Sequence, residues 1–134
     1  MILIDAGPLV AILHRDDRHH GTCVEVIRSI REPVVTAWPA VAEAMHLLRF
    51  SWLLQDGLWG MIAADDVRIA SLESRDVAPM RALMERYRTL PMDLADAALV
   101  RVAERDGTRK IFTLDRRDFT VYRVRGTGRF TILP

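Results

Sequence analysis

Ile2-Leu3-Ile4-Asp5-Ala6-Gly7-Pro8-Leu9-Val10 sets an unbroken apolar triplet directly before an acid and a glycine–proline step. A run that short, apolar at every position, suits a strand buried on both faces, as a parallel sheet requires. Gly7 and Pro8 are turn and helix-start residues, and Leu9 to Leu13 continues as a short helix. The same alternation runs on downstream. Thr22 to Ile30 reads as an amphipathic helix, Pro33-Val34-Val35-Thr36 as a second strand, and Pro39 opens a long helix to about Leu54. Asp56-Gly57 and Gly60 interrupt the helical pattern, and Val67 to Ala70 reads as a strand. Pro79 to Arg88 and Pro91 to Arg105 contain helices, and Ile111-Phe112-Thr113-Leu114 is a strand ending at Asp115. Val121 to Val124 and Phe130 to Leu133 read as short edge strands around Gly126 and Gly128. Strands alternating with helices predict an α/β sandwich with a mostly parallel central sheet.

The length of 134 residues fits one domain, 1–134, and half the residues are apolar, enough for a real core. The single cysteine, Cys23, excludes an intramolecular disulfide and a multi-cysteine zinc site. The N-terminal run lacks a basic region and is broken by Asp5, unlike a secretory leader, and Glu43, His46 and Arg49 interrupt the longest apolar region. A soluble, cytoplasmic domain with no membrane association is the expectation. The net charge of +1 conceals an asymmetry. Residues 1–67 carry five arginines against nine acids, and residues 68–134 carry fourteen basic residues against nine acids. All the basic residues but Lys110 are arginine. GC-rich coding, which inflates arginine, explains this in one way; a surface for nucleic acid, built from the 81–88 and 116–129 segments, explains it in another.

Four acids fit a core poorly. In parallel sheets, sites lie beyond the carboxyl ends of the strands, and Asp5 and Asp115 stand at such ends, where either could also serve as a turn or cap residue. On the helix after Asp93, Asp96 falls beside Leu99, Val100 and Ala103, opposite a wet face of Arg101, Glu104 and Arg105. Asp93 has an N-cap reading, with Asp96 as its capping-box partner. Glu43 shares a stripe with Leu47, Phe50 and Leu54 on the long helix, and a buried ion pair with an arginine is its ordinary alternative. Two carboxylates about 4 Å apart repel by roughly 4 kcal/mol at an effective dielectric near 20. Four that converge stay ionised only around a divalent cation, and oxygen-only donors suit Mg²⁺ or Mn²⁺ rather than zinc. Such a cluster is suited to phosphodiester hydrolysis.

Taken in order, Ile2-Leu3-Ile4-Asp5 with Gly7-Pro8-Leu9-Val10-Ala11, Glu43 on the helix after Val34-Val35-Thr36, Asp93-Leu94-Ala95-Asp96-Ala97, and Phe112-Thr113-Leu114-Asp115-Arg116-Arg117-Asp118-Phe119 resemble a PIN domain. The likeness is greatest to the VapC-like toxin ribonucleases of prokaryotic toxin–antitoxin pairs, and it covers essentially the whole chain. It implies a PIN-like three-layer sandwich, a Mg²⁺- or Mn²⁺-dependent endoribonuclease, a homodimer, an RNA substrate and a cognate antitoxin that blocks the acidic pocket. It maps the metal-binding and catalytic acids onto Asp5, Glu43, Asp96 and Asp115. Thr113 matches a hydroxyl position that orients water or phosphate, and Asp93 and Asp118 are supporting acids, Asp118 with an alternative reading as cap of the following turn. Ala6 and Gly7 depart from the pattern, since many relatives carry a hydroxyl or amide side chain just after the first aspartate.

Other candidates have ordinary readings. His19-His20 sits in a polar loop with Asp16 and Asp17, and His46 reads as exposed or at an interface. Cys23 reads as a small core residue. Trp38, Trp52 and Trp59 read as core or dimer-interface packing, with stacking on RNA bases as the alternative. Placement argues against a phospho-receiver domain, because Asp16-Asp17 and Asp56 follow helices and Lys110 begins its strand. A phosphatase with an aspartate nucleophile would want an acid where Gly7 stands. A PIN-like fold that binds RNA or protein without catalysis remains as the non-enzymatic alternative.

Overall fold

Period-two alternation in three short strands decides where the two halves of the core lie. In the computed structural model, which describes residues 1–125 and 128–134, the chain-order elements begin β1 (Ile2–Ile4), α1 (Ala6–Leu13), α2 (His20–Ser29), β2 (Val34–Thr36), α3 (Trp38–Leu47) and α4 (Trp52–Ala63). They continue β3 (Arg68–Ile69), α5 (Ser74–Arg86), α6 (Leu94–Asp106), β4 (Lys110–Phe112), α7 (Arg116–Val121), β5 (Arg123–Val124), β6 (Gly128–Arg129) and β7 (Thr131–Leu133). Five strands form one sheet in the order β3-β2-β1-β4-β7, every pair parallel. β1 is central, with Leu3 opposite Val35 on one side and Ile111 on the other. Leu3, Val35 and Ile111 face the layer of α5, α6 and α7; Ile2, Ile4, Val34 and Phe112 face α1, α2 and α4. Burying a side chain such as Leu3 or Ile4 completely contributes about 2 kcal/mol. α3 packs against both α1 and α6, bridging the two layers.

The predicted α/β architecture with a parallel sheet between helices is what the chain adopts. Several boundaries differ, each for a local reason. α1 starts at Ala6, because Asp5 itself is the N-cap; Gly7 and Pro8 then lie in its first turn, where a missing N–H costs nothing. The single helix expected from Pro39 to Leu54 is two helices. Ser51 leaves the helical conformation and its hydroxyl accepts the Leu54 N–H at 3.3 Å, starting α4 as an N-cap. Asp56, Gly57 and Gly60 lie inside α4 rather than ending a helix. Gly57 has a packing reason to be there, since a Cβ would stand 3.0 Å from Leu13 Cδ2 on α1. α5 begins before Pro79, at a capping box in which Glu73 and Asp76 satisfy one another's backbone N–H groups. Within 121–124, only Arg123 and Val124 are strand; Val121 ends α7, a helix the sequence reading lacked. β5 and β6 pair antiparallel, apart from the main sheet, while β7 forms its edge beside β4. The turn read at Gly126 lies outside the described residues.

Arg101 and Arg105 do not form a wet face. Both lean onto Asp76, which is fully buried: Arg101 Nε donates to Oδ1 at 2.8 Å and Arg105 Nη1 to Oδ2 at 3.2 Å. The Glu73 amide and then these guanidiniums hold the Asp76 carboxyl below the usual carboxylate range. Cys23 is buried, as read.

The break between α3 and α4 depends on one hydroxyl. Ser51→Ala is expected to lower unfolding free energy by about 1 kcal/mol, read as a reduced urea midpoint at unchanged slope. An unaltered midpoint would mean that packing alone sets the break.

Candidate metal centre

Asp5 is the first residue beyond β1. Its N–H completes the ladder to Phe112 at 3.0 Å, which points its carboxylate past the strand ends. Its Oδ1 accepts the Ala6 N–H at 2.8 Å, capping α1, and its Oδ2 accepts the Thr113 hydroxyl at 2.9 Å. Thr113 Oγ1 in turn accepts the Asp115 N–H at 3.0 Å. Three site residues are thus tied into one chain across the ends of β1 and β4.

Asp96 comes from the opposite layer. Asp93 caps α6 by accepting the Asp96 N–H at 2.8 Å, as the N-cap reading expected. The capping-box role for the Asp96 side chain is not what forms: its Oδ2 accepts the Tyr122 hydroxyl at 2.8 Å instead. Asp115, not Asp118, is the cap of the following turn, its Oδ1 accepting the Asp118 N–H at 3.3 Å. Asp118 lies in the first turn of α7 and faces the site. Glu43 sits on α3, yet the apolar stripe expected around it is absent. Leu54 belongs to α4, Leu47 and Phe50 are exposed, and Glu43 is itself exposed, without the buried arginine partner weighed for it among the described residues.

Asp5, Glu43, Asp93, Asp96, Asp115 and Asp118 line one open cavity of about 440 Å³, with Leu47, Pro91 and Leu114 as its apolar lining. One carboxylate oxygen from each of Asp96, Asp115 and Asp118 lies within 4.8 Å of the other two. Asp5 and Glu43 share the cavity but stand outside that tightest group. Among the described residues no ion pair reaches any of the six.

Burial first, and then mutual repulsion, raises several of these carboxyls. Desolvation, reinforced by Asp93, Asp5 and Asp115 and only partly offset by the Tyr122 hydrogen bond, pushes Asp96 up to about 8. Burial raises Asp5 against the opposing Ala6 and Thr113 hydrogen bonds. Desolvation and then the neighbouring carboxylates raise Glu43, and desolvation with Asp115 raises Asp118. Tyr122 is pushed up as well, by burial and by Asp96, so its phenol remains a donor. Asp76 is the contrast: a buried carboxylate in the same chain, neutralised by two arginines and lowered. The donor set fits a hard divalent cation, because among the described residues every donor is a carboxylate oxygen and no histidine or cysteine joins the group.

Sequence reasoning missed Tyr122. Its phenol meets Asp96 across 26 positions in sequence, a contact that only the fold makes. The three tryptophans are exposed rather than core, with Trp38 and Trp59 rings 6.2 Å apart. His46 is exposed, as read, and His20 is half-buried, its Nδ1 2.7 Å from the Ala11 carbonyl.

The raised carboxyls set the sign of a pH dependence. Between the ordinary carboxylate range and about pH 8 the metal-free folded protein holds protons that the unfolded chain has released, so stability falls as pH rises through that window. In chelator, the thermal midpoint is expected to be several degrees lower near pH 8 than near pH 5, and excess Mn²⁺ is expected to close the gap. A midpoint that rises with pH in chelator would contradict the crowding of these acids.

The PIN domain family model matches residues 2–125. The chain is 30% identical to Ribonuclease VapC26 of Mycobacterium tuberculosis (strain ATCC 25618 / H37Rv) over 135 residues, covering 99% of this chain and 100% of that protein. The crystal structure of VapC20 from Mycobacterium tuberculosis, a sarcin–ricin loop cleaving toxin, superposes with a TM-score of 0.80 over 87% of this chain and 92% of that one. At 18% identity that second likeness is one of fold. With the acids and the sheet order described above, these matches identify the chain as a member of the PIN domain family, on its VapC-like side.

Proposed function

We propose that this protein is a Mg²⁺- or Mn²⁺-dependent endoribonuclease, the toxin of a type II toxin–antitoxin pair, with residues 1–134 acting as one domain. The observation that carries this reading is the cavity with six carboxylates, to which no cationic side chain of the described residues is ion-paired. Asp5, Glu43, Asp96 and Asp115 hold the cation, and Asp93, Thr113 and Asp118 support them. When bound, the cation supplies water activation and neutralises charge building on the phosphate oxygens. The chain's own groups do the rest. Thr113 keeps Asp5 aimed, Asp93 anchors the first turn of α6, and Asp118 lends a further oxygen beside Asp96 and Asp115.

RNA is drawn to the rim by arginine. Arg116 and Arg117 open α7 next to Asp115, and Arg81 and Arg88 are exposed on or just beyond α5. The exposed Trp38, Phe50, Trp52, Leu53 and Trp59 support a protein-facing surface on α3, α4 and the break between them, for a second copy or the antitoxin. Among the described residues no helix is long and apolar enough to cross a membrane, and a cytoplasmic location follows from the family reading.

Cleavage of RNA with Mn²⁺ is expected, with activity lost in EDTA and reduced roughly a hundredfold or more in Asp96→Asn. Activity that persists in chelator, or in that variant, would overturn the reading; binding without cleavage would leave the non-catalytic alternative in its place. RNA affinity is expected to fall as salt rises, because arginine–phosphate contacts release counter-ions. Affinity indifferent to salt would remove the arginines from the RNA path.

A further inference from the structure

Tyr122 belongs to none of the roles assigned so far. It is fully buried and edge-on to two rings, Tyr87 at 5.0 Å and Phe119 at 5.1 Å between centroids. Its backbone closes the end of α7 and its phenol reaches an acid of the cavity. The backbone N–H donates to the Asp118 carbonyl at 3.0 Å, and the phenol donates to Asp96 Oδ2 at 2.8 Å. The next residue is anchored too, since Arg123 N–H donates to Tyr87 Oη at 3.0 Å. Tyr122 is therefore a strut from the end of α7 to the first turn of α6, held at both ends.

A carboxylate has two oxygens and free rotation about its last bond. With Oδ2 occupied by the phenol, rotation stops and Oδ1 has one direction left. Oδ1 receives no donor among the described residues, and no buried side-chain oxygen of the described residues lacks a partner, so Oδ1 opens on the cavity that Asp96 lines. We propose that Tyr122 is a positioning residue that orients Asp96, turning Oδ1 toward a divalent cation bound beside Asp115 and Asp118. The proposal rests on the metal-binding reading above. A donor behind a metal-binding carboxylate usually sets affinity by about ten- to a hundredfold.

Calorimetric titration of the full chain with MnCl₂ tests it, comparing wild type, Tyr122→Phe and Tyr87→Phe. Each variant loses one hydroxyl, but only Tyr122 touches an acid of the cavity. Tyr122→Phe is expected to bind Mn²⁺ about ten- to a hundredfold more weakly, with Tyr87→Phe close to wild type at a comparable loss of thermal stability. Equal affinity in Tyr122→Phe and wild type overturns the proposal, as does an equal loss in both variants, which would make the effect one of packing. Wild type that binds no Mn²⁺ refutes the metal reading itself and the proposal with it. A second measurement needs no Tyr122 variant. The chain has two tyrosines, so isotope-edited infrared spectra of ring-labelled wild type and Tyr87→Phe resolve the Tyr122 C–O stretch. That band is expected to shift on adding Mn²⁺, and a band that stays in place overturns the proposal.

Discussion

Carboxylates that face one another, with no ion pair to them among the described residues, are the constraint around which this fold is arranged. At about 5 Å and an effective dielectric near 20, each ionised pair costs roughly 3 kcal/mol. A chain that only needed stability would not keep them. The sheet makes the crowding unavoidable: β1 and β4 are parallel neighbours, so Asp5 and Asp115 leave the same end together. α6 and α7 then deliver Asp96 and Asp118 from the layer on one side, and α3 carries Glu43 in across the top. Helix N-termini soften the repulsion, since Asp5 and Asp93 each cap a helix whose dipole favours negative charge.

The same chain solves the opposite problem a short distance away. Asp76 is more deeply buried than any cavity acid, yet it is lowered, because the Glu73 amide and then two arginines of α6 close on it. Two arginines thus make their ion pairs with Asp76, while among the described residues none is ion-paired to a cavity acid. This recasts the charge asymmetry. Four of the six cavity acids come from residues 68–134, which leaves five acids there against fourteen basic residues. The surface outside the cavity is more cationic than the net charge implies, which suits a polyanionic partner.

What could be read from the sequence was local. Apolar triplets ending in an acid marked β1 and its exit, and Asp93 announced an N-cap, because both depend on residues a few positions apart. The break at Ser51 was not legible: a serine is unremarkable in a helix until its backbone turns extended and its hydroxyl takes over an amide. Losing that break attached Glu43 to an apolar stripe that does not exist. Glu43 still reaches the cavity, but because α3 bridges the two layers, a matter of tertiary placement. α7 is six residues long, too short for a periodic signal, so Asp118 looked like a cap when Asp115 is the cap. Tyr122 was invisible for a different reason: nothing within its neighbourhood in sequence needs a phenol.

The strand order carries a consequence for how the protein comes into being on the ribosome. β1, β2 and β3 are neighbours in space and come first in the chain, so one side of the sheet has its partners early. β4, α7 and β7 emerge last, and with them Asp115, Asp118 and Tyr122. A nascent chain that already contains Asp5, Glu43 and Asp96 still lacks one wall of its cavity. The full set of acids comes face to face only once β4 and α7 have followed α6 out.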